Sequence, residues 1–584
     1  MTNIQLILND DLKKAQTMKL QNVPVNRIIA LCVLASAFTY ALFYFNYFET
    51  PTGDYIGNIR GPVLEYMKGG FPGHNFKFLP LYPLLLSLLA RLNPIKAFDQ
   101  IYLTAMMLNI VLFAPYLILV FQIYRRFLGE KMARLALVFL GANIYTVYTA
   151  VNSELEMLLS LLIVVSLYLT LRDSRISYAA AFLSAVTKWD SVFIIPAVMF
   201  RDFFYRRRKA LAIALGCAAT AGIAGWLILS MMNTRGHPYI SEIAHRGPNI
   251  YRFIIDCFLV SSGFIPWMAM QGYFADSLPL KATLLGLTVI PGMLVVTGIV
   301  WGMILIIKKE KREFAPILVF FTGFILIHLI YQNTKDRYVL PVLWILNLFL
   351  IHGCAFGLFP WLKKISDKLP YKANISITYI FLTAAISFFF LSIGAIAVET
   401  TPVHLLFALL FTALIAAVIL YGLPANNTLT GTVVILLCGV LINLLVFYGV
   451  HTMDHHSLSR VEFKKVALWY KEHARPTDKM LIAETNVPQY YAGFGEDKFV
   501  ISYLIKGNTL GELVPELAER KITYVFVDDF YIRRLKYKDP NAIDRRAWIF
   551  KEIREKGEDY GHFRLIKTFH TRGGITSYLY KFFP

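Results

Sequence analysis

The chain has 584 residues, of which 57% are hydrophobic and only 16% charged, with a mean hydropathy of +0.54. A soluble protein of this length could not hide that much apolar surface, so part of its solvent is lipid. The formal charge of +20, from 58 basic against 38 acidic residues, would suit nucleic acid, but the basic residues sit at the ends of apolar runs; that is the pattern of cytoplasmic loops facing anionic headgroups, and no nucleic-acid partner is expected.

In chain order, residues 1–26 form a polar segment with no evident cleavable signal, and Lys13, Lys14, Lys19 and Arg27 place it in the cytoplasm. Apolar runs near 27–47, 101–124, 132–151, 154–171, 209–232, 282–307, 314–331, 338–358, 375–397, 402–421 and 430–450 approach or exceed the roughly 20 residues of a span. The loop 48–100 between the first two is delivered to the outside. It holds "GDYIGNIRGPVLEYMKGGFPGHNFKFLPLYP", broken by Gly and Pro and charged at Asp54, Arg60, Glu65, Lys68, His74 and Lys77. The apolar run Pro80–Leu92 reaches only about 20 Å as a helix and reads as interfacial. "YRRFLGEKMAR" and "RDSR" then fall inside.

The segment 177–200, "SYAAAFLSAVTKWDSVFIIPAVMF", is read as two short helices with Lys188 and Asp190 at an outer tip. As one span it would bury both charges at roughly 2.5–3.5 kcal/mol each and push "RRRK" at 206–209 outside. The hairpin keeps "RRRK", "KKEKR" and "KKISDK" inside and gives about 13 membrane segments with an external C-terminus. From 452 the composition changes. "DKMLIAET", "KFVISYL", "ITYVFVDD" and "FRLIKTFH" read as strands, and "TLGELVPELAERK", opened by a Thr cap, and "DRRAWIFKEIREKG" as helices. The expected fold is thus a polytopic α-helical membrane protein with a small external α/β domain over 452–584. The five cysteines lack metal spacing or a disulfide framework.

With this sidedness the charged residues gather on one face: Asp54, Arg60 and Lys77 in the first loop, Glu154 and Glu156 before the fourth span, and Lys188 and Asp190 at the hairpin tip. His245 and Arg246 join from the loop 233–256, and Arg337 from "QNTKDRYVLP". Carboxylates and cations at one interface suit a phosphate leaving group and a base that activates a hydroxyl.

The arrangement resembles the GT-C superfamily of polyprenyl-phosphate-sugar-dependent glycosyltransferases, and within it the branch of protein O-mannosyltransferases and the lipid A aminoarabinose transferase. The likeness rests on Asp54 just after the first span, "FKFLPLYPLLLSLLARL", "NSELEMLLSLL", "AVTKWD" and "DRYVLPVLWIL". It covers about the first 360 residues and implies a catalytic membrane module over 27–358, with additional membrane helices over 359–451. It also implies that Asp54 is the catalytic base, that Glu156 or Glu154 is a second acid, and that Arg60, Lys77 and Arg337 face the lipid phosphate. Tyr82, Lys188, Asp190, His245, Arg246 and Tyr338 complete the expected substrate-binding set. The implied partners are a polyprenyl-phosphate-linked sugar, an acceptor protein, lipid or glycan, and membrane lipids. No cofactor is assigned, and a divalent metal is left open. A transporter or lipid flippase, or an O-antigen ligase or polymerase, is the alternative. The polar residues crowd one interface and no repeated halves are visible, which disfavours transport.

Overall fold

The structure is a computed structural model that describes residue 51 and residues 55–70, 79–94, 99–233, 295–330, 336–358, 360–361, 461–507, 509–528, 545–556, 561–570 and 576–584. The expected spans near 27–47, 375–397, 402–421 and 430–450 lie outside these residues.

A π-helical turn, Tyr55–Arg60, runs into α1 (Gly61–Met67), and α2 (Leu81–Leu92) is the short helix read from Pro80. Helix α3 (Gln100–Leu128) is 29 residues long and capped at its start by Asp99, whose side chain accepts from the Ile101 and Tyr102 amides. It stops at Gly129, where a φ of +74° requires a residue without a Cβ. The run 132–151, read as one span, is instead two helices, α4 (Glu130–Ala142) and α5 (Ile144–Val151). Asn143, in extended conformation with ψ 125°, ends the first of them. Then come α6 (Glu156–Leu171), α7 (Ser177–Ala185), α8 (Ile194–Phe200) and α9 (Lys209–Asn233). A helical stretch over 295–309 is followed by α10 (Lys311–Ile330) and α11 (Leu340–Gly353). Among the described residues four helices are long and apolar enough to cross a membrane. The protein is a polytopic helical membrane protein.

The bundle is packed by small residues where backbones meet. Gly298 and Gly302 form a GxxxG pair against α11: a Cβ on Gly302 would run into the Phe349 carbonyl, and one on Gly353 into the Gly298 carbonyl. Lipid supplies no hydrophobic force between helices, so this close approach gains its stability from dispersion contacts.

Helices α7 and α8 are 9 and 7 residues long, too short to cross singly, and they fold back on each other. Lys188 and Asp190 at their junction lie beside Glu156, at the start of α6. Past α8, Arg201 and Arg206 pair with Asp173 beyond the end of α6, and Arg206 also pairs with Asp202. Arg126 joins that end through a two-point pair with Glu313, at 2.6 and 2.8 Å, and a bond to the Leu171 carbonyl. Two charged layers are thus held apart by the 16 residues of α6, about 24 Å of apolar helix.

Residues beyond 460 build a separate core on a five-stranded sheet ordered β2-β1-β3-β5-β4. The strands are β1 (Met480–Ile482), β2 (Phe499–Ile501), β3 (Tyr524–Val527), β4 (Phe563–His570) and β5 (Thr576–Phe582). β1 is parallel to β2 and β3, and β5 is antiparallel to β3 and β4. Among the described residues four α-helices accompany the sheet: α12 (Val461–His473), α13 (Asn486–Ala492), α14 (Leu510–Glu519) and α15 (Arg545–Lys556). The Thr509 hydroxyl caps α14 by accepting from the Glu512 amide.

Candidate active site

The site is assembled from the turn before α6. Asn109, fully buried in α3, donates through its side-chain amide to the carbonyls of Asn152 and Glu154. Tyr82, fully buried in α2, donates its hydroxyl to the Ser153 carbonyl at 2.9 Å. These bonds fix the turn and with it the start of α6. The Leu81 amide donates to the Val186 carbonyl, which ties α2 to the hairpin. At the hairpin tip the Ser191 hydroxyl lies 2.8 Å from the Ser184 carbonyl and 2.9 Å from the Lys188 carbonyl.

The side chains held this way form a buried charged cluster. The Lys188 ammonium sits 3.0 Å from Asp190 and 3.5 Å from Glu156, with 8% of its side chain exposed. It also stands 4.1 Å above the Tyr338 ring, an attraction of about 2 kcal/mol when desolvated. His328, 2% exposed in α10, donates from Nδ1 to the Phe324 carbonyl and turns Nε2 toward Asp190 at 3.4 Å. Burial works to raise the pKa of Asp190, yet Lys188 and His328 outweigh it and hold that carboxyl below the usual carboxylate range.

Glu156, Lys188, Asp190 and Tyr338 are therefore brought together, and Tyr82 holds the turn from which Glu156 projects. Glu154 is buried in that same turn. Arg337 belongs to the 3-10 turn Asp336–Val339, next to Tyr338; its side chain is not among those described. Asp54, Lys77, His245 and Arg246 lie outside the described residues. Arg60 belongs to a second group, with Nε bonded to Asp99 at 3.0 Å and its guanidinium 5.2 Å over the Tyr490 ring.

Lys188 lies between the Glu156 and Asp190 carboxylates. Among the described residues no group of three His, Cys, Asp or Glu side chains is arranged to hold a metal.

Three members escaped the sequence reading. His328 carried a signal, being an ionisable residue inside an apolar run. Asp99 carried a weaker one, as an acid directly before such a run. Tyr490, in the distal domain, carried none.

A helical bundle with polar turns and the short helix α2 gathered at one end, followed by a compact α/β domain, is an arrangement the chain shares with solved structures of the GT-C fold. The structure of ArnT from Cupriavidus metallidurans bound to undecaprenyl phosphate is similar over 96% of this chain and 98% of its own, with a TM-score of 0.52 at 12% identity. AglB, the archaeal oligosaccharyltransferase from Archaeoglobus fulgidus in complex with an inhibitory peptide and a dolichol-phosphate, is similar over 96% of this chain and 74% of that one, with a TM-score of 0.48 at 10% identity. No family model and no curated protein matches the sequence.

Proposed function

We propose that this chain is an integral-membrane glycosyltransferase. It moves a sugar from an undecaprenyl- or dolichyl-phosphate donor to an acceptor protein, lipid or glycan on the outer face of the cell (plasma or inner) membrane. The observation that carries this reading is the enclosed Glu156–Lys188–Asp190–His328 cluster at one end of a GT-C bundle. An ammonium held in a dry, polarised pocket at the level of the interfacial helix is suited to a phosphate entering from lipid.

In the proposed reaction the acceptor oxygen attacks the anomeric carbon from the face opposite the phosphate. Asp54 takes the acceptor proton, the sugar–oxygen bond to phosphate breaks, and the electron pair leaves with the lipid phosphate, inverting the centre. The donor sugar is already activated, so the chain needs a base, a cationic clamp and access from lipid. Lys188, Arg60, Arg337 and Lys77 supply the clamp; His245 and Arg246 extend it. Glu156 and Glu154 are acids that hold the cations, and Tyr82 and Tyr338 wall the pocket. In this reading the N-terminus is cytoplasmic and the domain 452–584 external.

Sidedness is tested by thiol labelling in intact cells. Trp189→Cys should react with an impermeant reagent from outside, and Arg208→Cys only after permeabilisation. Labelling of both from the same side would remove the outer-face assignment. Chemistry is tested by binding of undecaprenyl phosphate to the purified protein, followed by native mass spectrometry. Lys188→Ala should bind at least tenfold more weakly, and undiminished binding would remove Lys188 from the clamp.

A further inference from the structure

Among the described residues the soluble domain meets the membrane module around one carboxylate. Asp99 is 8% exposed. Its Oδ1 accepts from the Ile101 and Tyr102 amides. Its Oδ2 accepts from the Tyr55 hydroxyl at 3.1 Å, Arg60 Nε at 3.0 Å and the Tyr490 hydroxyl at 2.7 Å. A carboxylate offers about four lone-pair sites, so five donors saturate it and the position of each is set by the others. Tyr490 comes from α13, and its ring also lies under the Arg60 guanidinium. Apolar contact follows the same line: Ile56 packs against the core of the bundle and against that of the soluble domain. A Cβ at Gly57 would stand 3.7 Å from the Asn486 side chain.

Arg60 is the group this arrangement orients. Among the described residues its acceptor is Asp99, reached through Nε, and 37% of its side chain stays exposed. That geometry leaves the two terminal nitrogens of the guanidinium as a fork, the shape that grips a phosphate at two points.

We propose that Tyr490 is a positioning residue of the transfer reaction: through Asp99 it fixes the Tyr55–Arg60 turn and aims Arg60 at an anionic phosphate. This rests on the transfer reading above and deepens it. The soluble domain becomes part of the donor end of the machinery, and a chain whose domain is undocked presents a loose turn and a misdirected guanidinium.

The test uses the full-length protein in lipid nanodiscs with Tyr490→Phe, which keeps the ring and removes one hydroxyl, and Asp99→Asn as a second variant. Hydrogen exchange over residues 55–67 is measured together with transfer from a polyprenyl-phosphate sugar. Exchange there should rise in both variants while the strands of the soluble domain stay protected. The KM for donor should rise about 10- to 100-fold with kcat changed less, the loss expected for a hydrogen bond to a charged group. Adding Arg60→Ala to Tyr490→Phe should cost little more than either change alone, because both act through one guanidinium. Unchanged exchange and KM, or fully additive losses, would overturn the proposal. A wild-type protein that transfers nothing, with 55–67 still loosened in Tyr490→Phe, would refute the transfer reading while leaving the latch in place.

Discussion

Replacing Lys188 by Met probes the charged cluster directly. Met fills a similar volume but removes the ammonium that stands 3.0 Å from Asp190 and 3.5 Å from Glu156, both of them largely buried. Deleting one partner of a buried pair costs about 3–5 kcal/mol, because the remaining charge is left in a poor solvent. Here the Glu156 and Asp190 carboxylates would be left beside His328 without the ammonium between them. The lost contact with the Tyr338 ring adds about 0.5–2 kcal/mol. A destabilisation of about 3.5–7 kcal/mol follows. Heat denaturation of the purified protein, followed by the intrinsic fluorescence of its tryptophans, should show a midpoint several degrees lower for Lys188→Met. Lys188→Met with Asp190→Asn should recover much of the stability but none of the donor binding, which separates the structural share of the ammonium from its functional share. A Lys188→Met protein that melts with the wild type and binds undecaprenyl phosphate equally well would refute the reasoning.

Asp54→Asn should reduce transfer by about 10²–10⁴-fold, the usual share of a positioned base, with expression and donor binding nearly unchanged; transfer at close to the normal rate would make Asp54 a solvated loop acid. Gly302→Val should lower thermal stability by about 1–3 kcal/mol or more, since a side chain there must displace the backbone of α11 at Phe349; a neutral effect would show that the helices part without cost. Burial first, and then the Asp99 carboxylate, raise the pKa of the Tyr490 hydroxyl well above its ordinary 10.0. A group shifted upward contributes stability that is whole below its unfolded pKa and lost as pH rises through the folded one. Docking of the soluble domain, read by limited proteolysis, should therefore hold below about pH 10 and weaken above it, whereas Tyr490→Phe should lack this alkaline step.

What the sequence made legible follows from what local patterning can encode. Two charges interrupting an apolar stretch identified the hairpin at Lys188 and Asp190, because the alternative buried both at a cost local physics can estimate. The interfacial helix was readable from its length, and four strands from their apolar content. The fifth strand, Thr576–Phe582, pairs with β3 and β4 and was not read as a strand. The break at Asn143 was missed because the apolar run continues on both sides of it, and Gly141 and Asn143 were not read as a stop. Within the site, neighbours in sequence were found and distant ones were not. Tyr490 and Asp99 are 391 positions apart and Tyr55 and Asp99 are 44 apart, so their meeting is a property of docking that no periodicity records. Arg60 illustrates the limit: its residue type suggested a phosphate, whereas its orienting partner Asp99 is visible only in three dimensions.

The central claim is sugar transfer from a lipid phosphate, and the most direct measurement of it is single-turnover transfer by the purified protein in nanodiscs. Radiolabelled sugar on undecaprenyl phosphate is supplied together with a membrane fraction as acceptor source. Label should leave the polyprenyl phosphate with inversion at the anomeric carbon, free undecaprenyl phosphate should appear in equal amount, and Asp54→Asn and Lys188→Met should both slow that appearance strongly. Donor that stays intact with every polyprenyl-phosphate sugar supplied, while the protein instead moves the lipid between leaflets, would contradict it.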